Sequence, residues 1–430
     1  MNQEQTETYV KATTRTGVHL SARQAERQSS LGRKVFSAEK VLLARMLESL
    51  GNPPLSLVLW DGQEIPSQRE PALGRVLIRD RGALLKLVAN PEFEFGEMYS
   101  AGRIEVQGAL ADCLEAVYRA MARRSGLGQI TQKLLAPLNA PLRNTVTRAR
   151  RNIHHHYDIG NDFYKLWLDH DMVYTCAYFP SQTSSLEEAQ TAKLDHVCRK
   201  LRLQPGESVL ETGCGWGALA LHMAKHYGVS VKAYNISTEQ IAYARERARA
   251  EDLDERVEFI EDDYRNVTGA FDAFVSVGML EHVGIDQYQA LGAAIDRSLK
   301  DAGRGLIHTI GRDHPRPMSP WIERNIFPGA CPPSLSQMMQ IFEPFGFSVL
   351  DVENLRLHYA KTLEHWLDRY EANAERVEQM FDAAFARTWR LYLAGSIAAF
   401  KSGDMQLFQV CFNRVGQNEI PWTRQYLYTS

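Results

Sequence analysis

The segment from residue 208 to residue 227 constrains the fold more than any other. A short apolar stretch, residues 208–212, runs into Gly213-Cys214-Gly215-Trp216-Gly217 and then into a helical pattern that continues to about Tyr227. This predicts a strand, a tight turn that lets a ligand approach the backbone, and a helix. The flanking sequence repeats the alternation. Residues 230–235, 256–260, 271–277 and 304–310 read as strands. Ser237, with Gln240 three residues on, opens a helix to about Ala250, and residues 286–300 read as another. Strands alternating with helices imply an α/β protein with an open, mostly parallel sheet. Residues 347–352 and 405–412 add two strands around a helical insertion over about 354–404. That order suits a seven-stranded sheet whose last two strands pair antiparallel, with the insertion as a cap. The large apolar residues of the insertion, among them Leu363, Trp366, Trp389, Tyr392 and Phe400, are core by default, and some can line a channel.

The first third of the chain is less legible. Residues 1–33 are polar and read as a flexible N-terminus. Val41, Leu42, Met46 and Leu50 recur at helical spacing. Residues 55–60, 75–78 and 83–88 look like short strands and their connections, residues 102–107 alternate like a strand, and 110–121 read as a helix. These make a small α+β domain over 34–125 without an evident catalytic cluster. A basic linker over 126–152 leads to a catalytic domain over 153–430.

Charge and cysteine usage exclude several classes. A net charge of −3 argues against a general nucleic-acid binder. No acidic residue lies between Glu115 and Asp158, whereas Arg119, Arg123, Arg124, Lys133, Arg143, Arg148, Arg150 and Arg151 do, followed by His154, His155 and His156. This strip is either a solvated linker or a surface for anionic lipid headgroups. Without interleaved aromatics it is poorly suited to stacking bases. Adjacent histidines do not converge easily on one ion, so no metal is expected. Cys113, Cys176, Cys198, Cys214, Cys331 and Cys411 show no CxxC spacing and read as reduced thiols of a cytoplasmic protein. No secretory h-region is visible, and no apolar run approaches the roughly 18–20 residues of a membrane span, so membrane contact is expected to be peripheral.

The glycine turn by itself is compatible with a dinucleotide. Glu211, however, precedes the glycines, and the ammonium of S-adenosyl-L-methionine (SAM) needs such an anion where a pyrophosphate does not. Asp263-Tyr264 follows a strand and can bracket an adenine, carboxylate to amino group and ring to face. Together these favour SAM over NAD. The second strand ends in Tyr234-Asn235-Ile236-Ser237 without the usual acid for a ribose, leaving Asn235 and Gln240 as polar substitutes.

Six ordered motifs are Tyr157-Asp158-Ile159-Gly160-Asn161-Asp162-Phe163, Tyr174-Thr175-Cys176-Ala177-Tyr178-Phe179, Glu211 to Gly217, Gly278-Met279-Leu280-Glu281-His282-Val283-Gly284, His308-Thr309-Ile310-Gly311 and Ile326-Phe327-Pro328. As a set they resemble the cyclopropane-fatty-acyl-phospholipid synthases, and related mycolic-acid cyclopropane synthases and fatty-acid methyltransferases, over roughly residues 150–415. The resemblance implies a class I SAM-dependent methyltransferase, a Rossmann-like seven-stranded sheet. It implies transfer of the SAM methyl group to a cis double bond of a phospholipid acyl chain, proton loss to a bound bicarbonate, and ring closure to a cyclopropane. It places bicarbonate at Cys176, Glu281, His308, Ile310 and Tyr359, with Cys176, Glu281, His308 and Tyr359 as catalytic residues. It places SAM at Tyr174, Thr175, Val209, Leu210, Glu211, Thr212, Gly213, Cys214, Gly215, Trp216, Gly217, Asn235, Ile236, Ser237, Gln240, Asp263, Tyr264 and Arg265. It also implies a homodimer working at the inner face of a phospholipid membrane. Glu211 stands where the family usually has aspartate, and Asn235 where threonine is common.

The chemistry gives this constellation a rationale. An alkene is a feeble nucleophile, and methylating it yields a cation from which a base must take a proton. A strongly basic side chain would itself risk alkylation, so a small bound anion is the better base. His308, Tyr359 and a backbone N–H near Cys176 or Ile310 can donate to it, while Glu281 accepts. Taken singly, Cys176 would be a small buried hydrophobe, His308 a structural histidine, and Glu281-His282 a loop pair. Two alternatives stand beside cyclopropanation: a methylene- or methyl-branched product, and a SAM- or lipid-binding protein without turnover.

Overall fold

The computed structural model describes residues 39–123 and 159–428. The expected flexible N-terminus, the basic linker, His154, His155, His156, Tyr157 and Asp158 lie outside them. Eleven strands are present among the described residues. β1 (Leu55–Val58), β2 (Glu64–Ile65), β3 (Gly74–Ile78) and β4 (Ile104–Gln107) form one sheet in the order β2-β1-β3-β4. β5 (Ser208–Thr212), β6 (Ser230–Asn235), β7 (Val257–Glu261), β8 (Phe271–Val277), β9 (Leu299–Gly311), β10 (Phe347–Asn354) and β11 (Gln406–Arg414) form a second, ordered β10-β11-β9-β8-β5-β6-β7.

The large sheet is the expected class I methyltransferase sheet. β5 pairs in parallel with β6 and β8, β6 with β7, and β8 with β9. β11 returns antiparallel between β9 and β10. Its strands are buried and apolar, as Val209, Ala233, Val275, Leu306 and Val410 show at 2 % exposure or less. The helices are set by local signals. Ser185 and Glu188 form a capping box at the start of helix Leu186–Leu201, and Ser237 caps helix Thr238–Ala250 through the N–H of Gln240.

Two expectations are corrected. Residues 83–88 are part of helix Arg81–Ala89, not a strand. Asp80 caps it by accepting from the N–H of Ala83, and Ala83, Leu84 and Leu87 bury one helical face. The helix expected over 286–300 is Tyr288–Ser298, preceded by a 3-10 turn at Ile285–Gln287.

Between β10 and β11 run helices Arg356–Ala372, Ala374–Met380 and Ala383–Ser402. They enclose an aromatic cluster with the segment after Gly160. Trp389 meets Phe163 at 4.9 Å between ring centroids, and Trp366 meets Trp167 at 5.6 Å. Each such edge-to-face pair adds about 0.5–1.5 kcal/mol beyond its buried area. The small domain packs on this cap through helices Pro91–Ser100 and Leu110–Ala122. Arg387 Nε donates to the carbonyl of Ser100 at 2.9 Å, and Asn325 Nδ2 to Glu97 Oε1 at 2.9 Å.

Candidate active site

Two cavities meet at the carboxyl ends of the parallel strands, where ligands bind in open α/β sheets. The first is lined by Glu211 in β5 and Gly213, Cys214, Gly215 and Trp216 beyond it, Asn235 at the end of β6 with Ile236 and Gln240 beyond it, Asp263, Tyr264 and Arg265 beyond β7, and Gly278, Met279 and His282 beyond β8. Tyr174, Thr175 and Lys193 complete it. Gly215 has φ +54, and a Cβ there would find no atom within 4 Å, so the turn opens onto the cavity. Trp216 Nε1 donates to Asn161 Oδ1 at 2.7 Å, which ties the turn to the Gly160–Phe163 motif.

The segment carrying Tyr174, Thr175 and Cys176 is held from several sides. Gln190 Nε2 donates to the carbonyl of Thr175 at 2.9 Å, Val173 N donates to Asp169 Oδ1 at 3.0 Å, and Ala177 N donates to Thr362 Oγ1 at 3.0 Å. Lys193 Nζ donates to Thr175 Oγ1 at 3.0 Å. Glu211 is buried and its Oε2 has no hydrogen-bond partner. Burial pushes its carboxyl up to about 8, partly opposed by Lys193. Burial likewise brings Lys193 down to about 8. An isolated buried charge of either sign is costly. A ligand carrying an ammonium and a carboxylate relieves both.

Not every expected cofactor residue faces this cavity. Val209, Leu210 and Thr212 are buried within β5 and do not line it. Gly217 packs against Phe259 and Ala244, where a Cβ would come within 2.7 and 2.9 Å. Ser237 is occupied in capping its helix. Two polar residues of the cavity are also bonded within the protein. Asn235 lines the cavity, but its amide donates to Gln240 Oε1 at 2.7 Å and its Oδ1 accepts from Ile236 N and Ser237 N. Asp263 is clasped by Arg265, with Nε to Oδ1 at 2.7 Å and a second guanidinium nitrogen to Oδ2 at 2.9 Å. The carboxylate expected to meet an adenine amino group thus also pairs with Arg265, and its Oδ2 keeps a second acceptor site. The Arg265 guanidinium lies 5.1 Å from the centroid of the Tyr264 ring.

The second cavity brings Cys176, Glu281, His308, Ile310 and Tyr359 together. Tyr174, Thr175, Gly278 and His282 line both cavities and form their common wall. Glu281 Oε1 accepts from Ile310 N at 2.6 Å, while Oε2 is buried without a hydrogen-bond partner. That main-chain N–H, expected to donate to an anion, holds Glu281 instead. Burial pushes the Glu281 carboxyl up to about 7, against the bond from Ile310. Gln409 Nε2 lies 3.0 Å from His308 Nδ1, and His308 Nε2 is buried without a partner. With the amide donating to Nδ1, the tautomer assigned to His308 carries its proton on Nε2. Burial holds His308 neutral and pushes the Cys176 thiol up, so neither is charged. The rest of the wall is largely apolar: Trp321, Phe327, Leu363, Leu391, Tyr392 and Phe400.

Comparison with known proteins agrees with this geometry. A family model described as mycolic acid cyclopropane synthetase matches residues 144–410. The chain belongs to that family. A second model, described as a domain of unknown function (DUF7884), matches residues 42–125. A probable fatty acid methyltransferase of Pseudomonas putida is 34% identical over 386 residues, covering 87% of this chain and 96% of the relative. The cyclopropane-fatty-acyl-phospholipid synthase of Escherichia coli K12 is 43% identical over 264 residues, 61% of this chain and 68% of the relative. The solved mycolic acid cyclopropane synthase CmaA1, in complex with SAH and CTAB, is similar with a TM-score of 0.59 at 31% identity, covering 62% of this chain and 98% of that one. The cyclopropane synthetase family member described here is a SAM-dependent methyltransferase, and the first cavity fits the cofactor. Glu211 would hold the ammonium and Lys193 the carboxylate.

Three groups at the cavities are not evident in the sequence. Lys193 sits among Ala189, Gln190, Leu194 and Val197 on the buried face of its helix, and a lysine in an apolar stripe was the available signal. His282 lines both cavities, and burial brings its imidazole down to about 4. Phe95, Leu114 and Tyr118 of the small domain line the second cavity, although that domain carries no catalytic cluster.

Proposed function

We propose that the chain transfers the SAM methyl group to the cis double bond of an unsaturated phospholipid acyl chain, with proton loss to a bound bicarbonate and closure of a cyclopropane ring. The observation that carries this reading is the shared wall. A largely apolar cavity in which Glu281 Oε2 and His308 Nε2 are without partners among the described residues abuts the cofactor cavity at Tyr174, Thr175, Gly278 and His282. SAM supplies an electrophilic methyl group when bound, and bicarbonate supplies a base.

The chain's own side chains suit an alkene acceptor. The best nucleophile in reach would attack the donor's methyl group, so competing nucleophiles must be suppressed. Cys176 is held as a neutral thiol, and His308 presents N–H to the cavity with its other nitrogen against Gln409. Glu281, balanced near neutrality, can take or release a proton at Oε2 while Ile310 fixes Oε1. These atoms would hold the bicarbonate, with Tyr359 and Cys176 closing its site. The ring faces of Tyr359 and Phe400, 4.7 Å apart between centroids, favour a passing cation.

A second reading, a methylene- or methyl-branched acyl product, has support from the Pseudomonas relative named a probable fatty acid methyltransferase. Incubation with labelled SAM and unsaturated phospholipid vesicles should place label in the lipid; its absence sinks both readings. NMR of the product separates them, since the cyclopropane and methylene products are isomers. We also propose a homodimer at the cytoplasmic face of the membrane, without nucleic acid as a partner. The family resemblance and the basic strip of the sequence support it. Among the described residues no helix is long and apolar enough to cross a membrane.

A further inference from the structure

The acyl cavity contains a charge that the methyl-transfer chemistry does not use. Arg312 follows β9, two residues beyond Ile310, and lines the cavity at 5 % exposure. Its guanidinium is almost without acceptors. Among the described residues Nε has no hydrogen-bond partner, one terminal nitrogen reaches only Met318 Sδ at 3.8 Å, and the other lies 3.7 Å from Asp404 Oδ2. Arginine stays protonated and offers five N–H donors, so this burial is unfavourable unless an acceptor arrives.

The neighbouring carboxylates do not fill that role. Asp404 is engaged by Arg316, whose terminal nitrogen lies 2.7 Å from Oδ1 and which also donates to the Asp404 carbonyl. Glu92 is solvent-exposed yet lines the same cavity from the small domain, where partial desolvation and Asp404 push its carboxyl up. It makes no ion pair within 4.0 Å among the described residues. Arg316 Nε is also buried without a partner. Tyr118 and Ser319 border the cavity beside these groups and can add hydroxyl donors. Phe95, Leu114, Trp321 and Leu391 line the remainder, so the polar cluster is set within apolar surface.

We propose that Arg312, backed by Arg316, is a subsite for the oxyanion attached to the acyl substrate, a phosphodiester or a carboxylate. The inference rests on the acyl-chain reading above. A planar guanidinium takes either group through two parallel N–H···O bonds, and the burial of Arg312 strengthens them. The subsite would fix how far the chain reaches toward Glu281 and His308, and hence which double bond lies beside the cofactor cavity. It also gives the small domain a role, because Tyr118 borders the subsite from that side with a hydroxyl donor.

The test is binding of dodecyl phosphate, dodecanoate and dodecanol, all below micelle formation, to the full wild-type chain by calorimetry. At least one anion should bind roughly 10- to 100-fold more tightly than the alcohol, the span expected for hydrogen bonds to a charged group. The tighter anion identifies the source, a phospholipid headgroup for phosphate or a free fatty acid for carboxylate. Equal binding of alcohol and anions overturns the subsite. Arg312→Gln should collapse the preference, and Arg312→Met, which keeps an apolar stem, repeats the test if the glutamine variant folds poorly. A preference that survives in a folded variant also overturns it. Since the readout is binding, an anion preference without methyl transfer to lipid would count against the acyl-transfer reading and not against the subsite.

Discussion

Glu281 Oε1 accepts the main-chain N–H of Ile310 at 2.6 Å, and that single bond turns the other carboxylate oxygen into the acyl cavity without a partner. Glutamine at 281 keeps the shape and can still accept from Ile310, but it cannot exchange a proton. We expect Glu281→Gln to lower kcat by about 10²-fold or more, the range of general acid–base contributions, while SAM affinity stays unchanged. Unaltered turnover would remove Glu281 from the mechanism.

Glu211 predicts a pH dependence of cofactor binding. Its carboxyl titrates at about 8 in the free protein, and an ammonium ligand requires it ionised. Binding must therefore release a proton below that pH. SAH affinity should rise from pH 6 to pH 8, by up to about tenfold per unit, and the slope should vanish in Glu211→Gln. Calorimetry in two buffers of different ionisation enthalpy counts the proton directly.

The same carboxyls set the pH dependence of stability. Glu211 and Glu281 have folded-state values of about 8 and about 7, above the 4.5 of an unperturbed glutamate. Between those limits the folded state holds protons that the unfolded state has lost. Their contribution is fully present below about pH 4.5 and is lost as pH rises through 7 and 8. Urea midpoints from pH 6.5 to pH 8, above the range in which the lowered His282 and His308 imidazoles oppose it, should show this loss, reduced when both positions are glutamine.

Gly278 lies in the wall between the cavities at φ +74, and a Cβ there would approach Thr175 Cγ2 to 2.7 Å. Gly278→Ala should displace Thr175 and lower kcat, about 10²-fold for a shift near 1 Å, with a smaller effect on folding. A melting temperature within a few degrees of wild type together with full activity would show that the wall tolerates the shift.

Lys200 is buried beside Glu353, Nζ to Oε2 at 2.7 Å, and His196 Nε2 shares the same oxygen at 2.8 Å. These groups hold the Glu353 carboxyl down at about 2. Glu353→Gln leaves Lys200 unpaired and should cost about 3 kcal/mol, read from urea unfolding. A loss below about 0.5 kcal/mol, the usual size of a neutral surface change, would mean that Lys200 escapes to water.

The class of fold was legible because its signals are local. The glycine turn, the Ser237 cap and the alternation of strands and helices each lie within a few residues. The error at 83–88 has the same root: a short apolar run has no decisive period, and the Asp80 cap settled it as a helix. The cluster of Cys176, Glu281, His308, Ile310 and Tyr359 came from ordered motifs resembling a known family, and the fold brings all five to one cavity. Which of their atoms are free was not legible. Asn235, Asp263 and the Ile310 N–H look available in the sequence and are engaged in the structure.

By itself, then, the sequence determined the parallel sheet, the SAM turn with its anion, and the family. Tertiary structure alone decided that Lys193 joins the first cavity, that the small domain walls the second, and that Arg312 is buried there without an oxygen of the described residues within normal hydrogen-bond reach. The physical reason is separation along the chain. Secondary structure and turns follow from neighbours, whereas the charge state and partners of a buried group follow from what a distant segment packs against it.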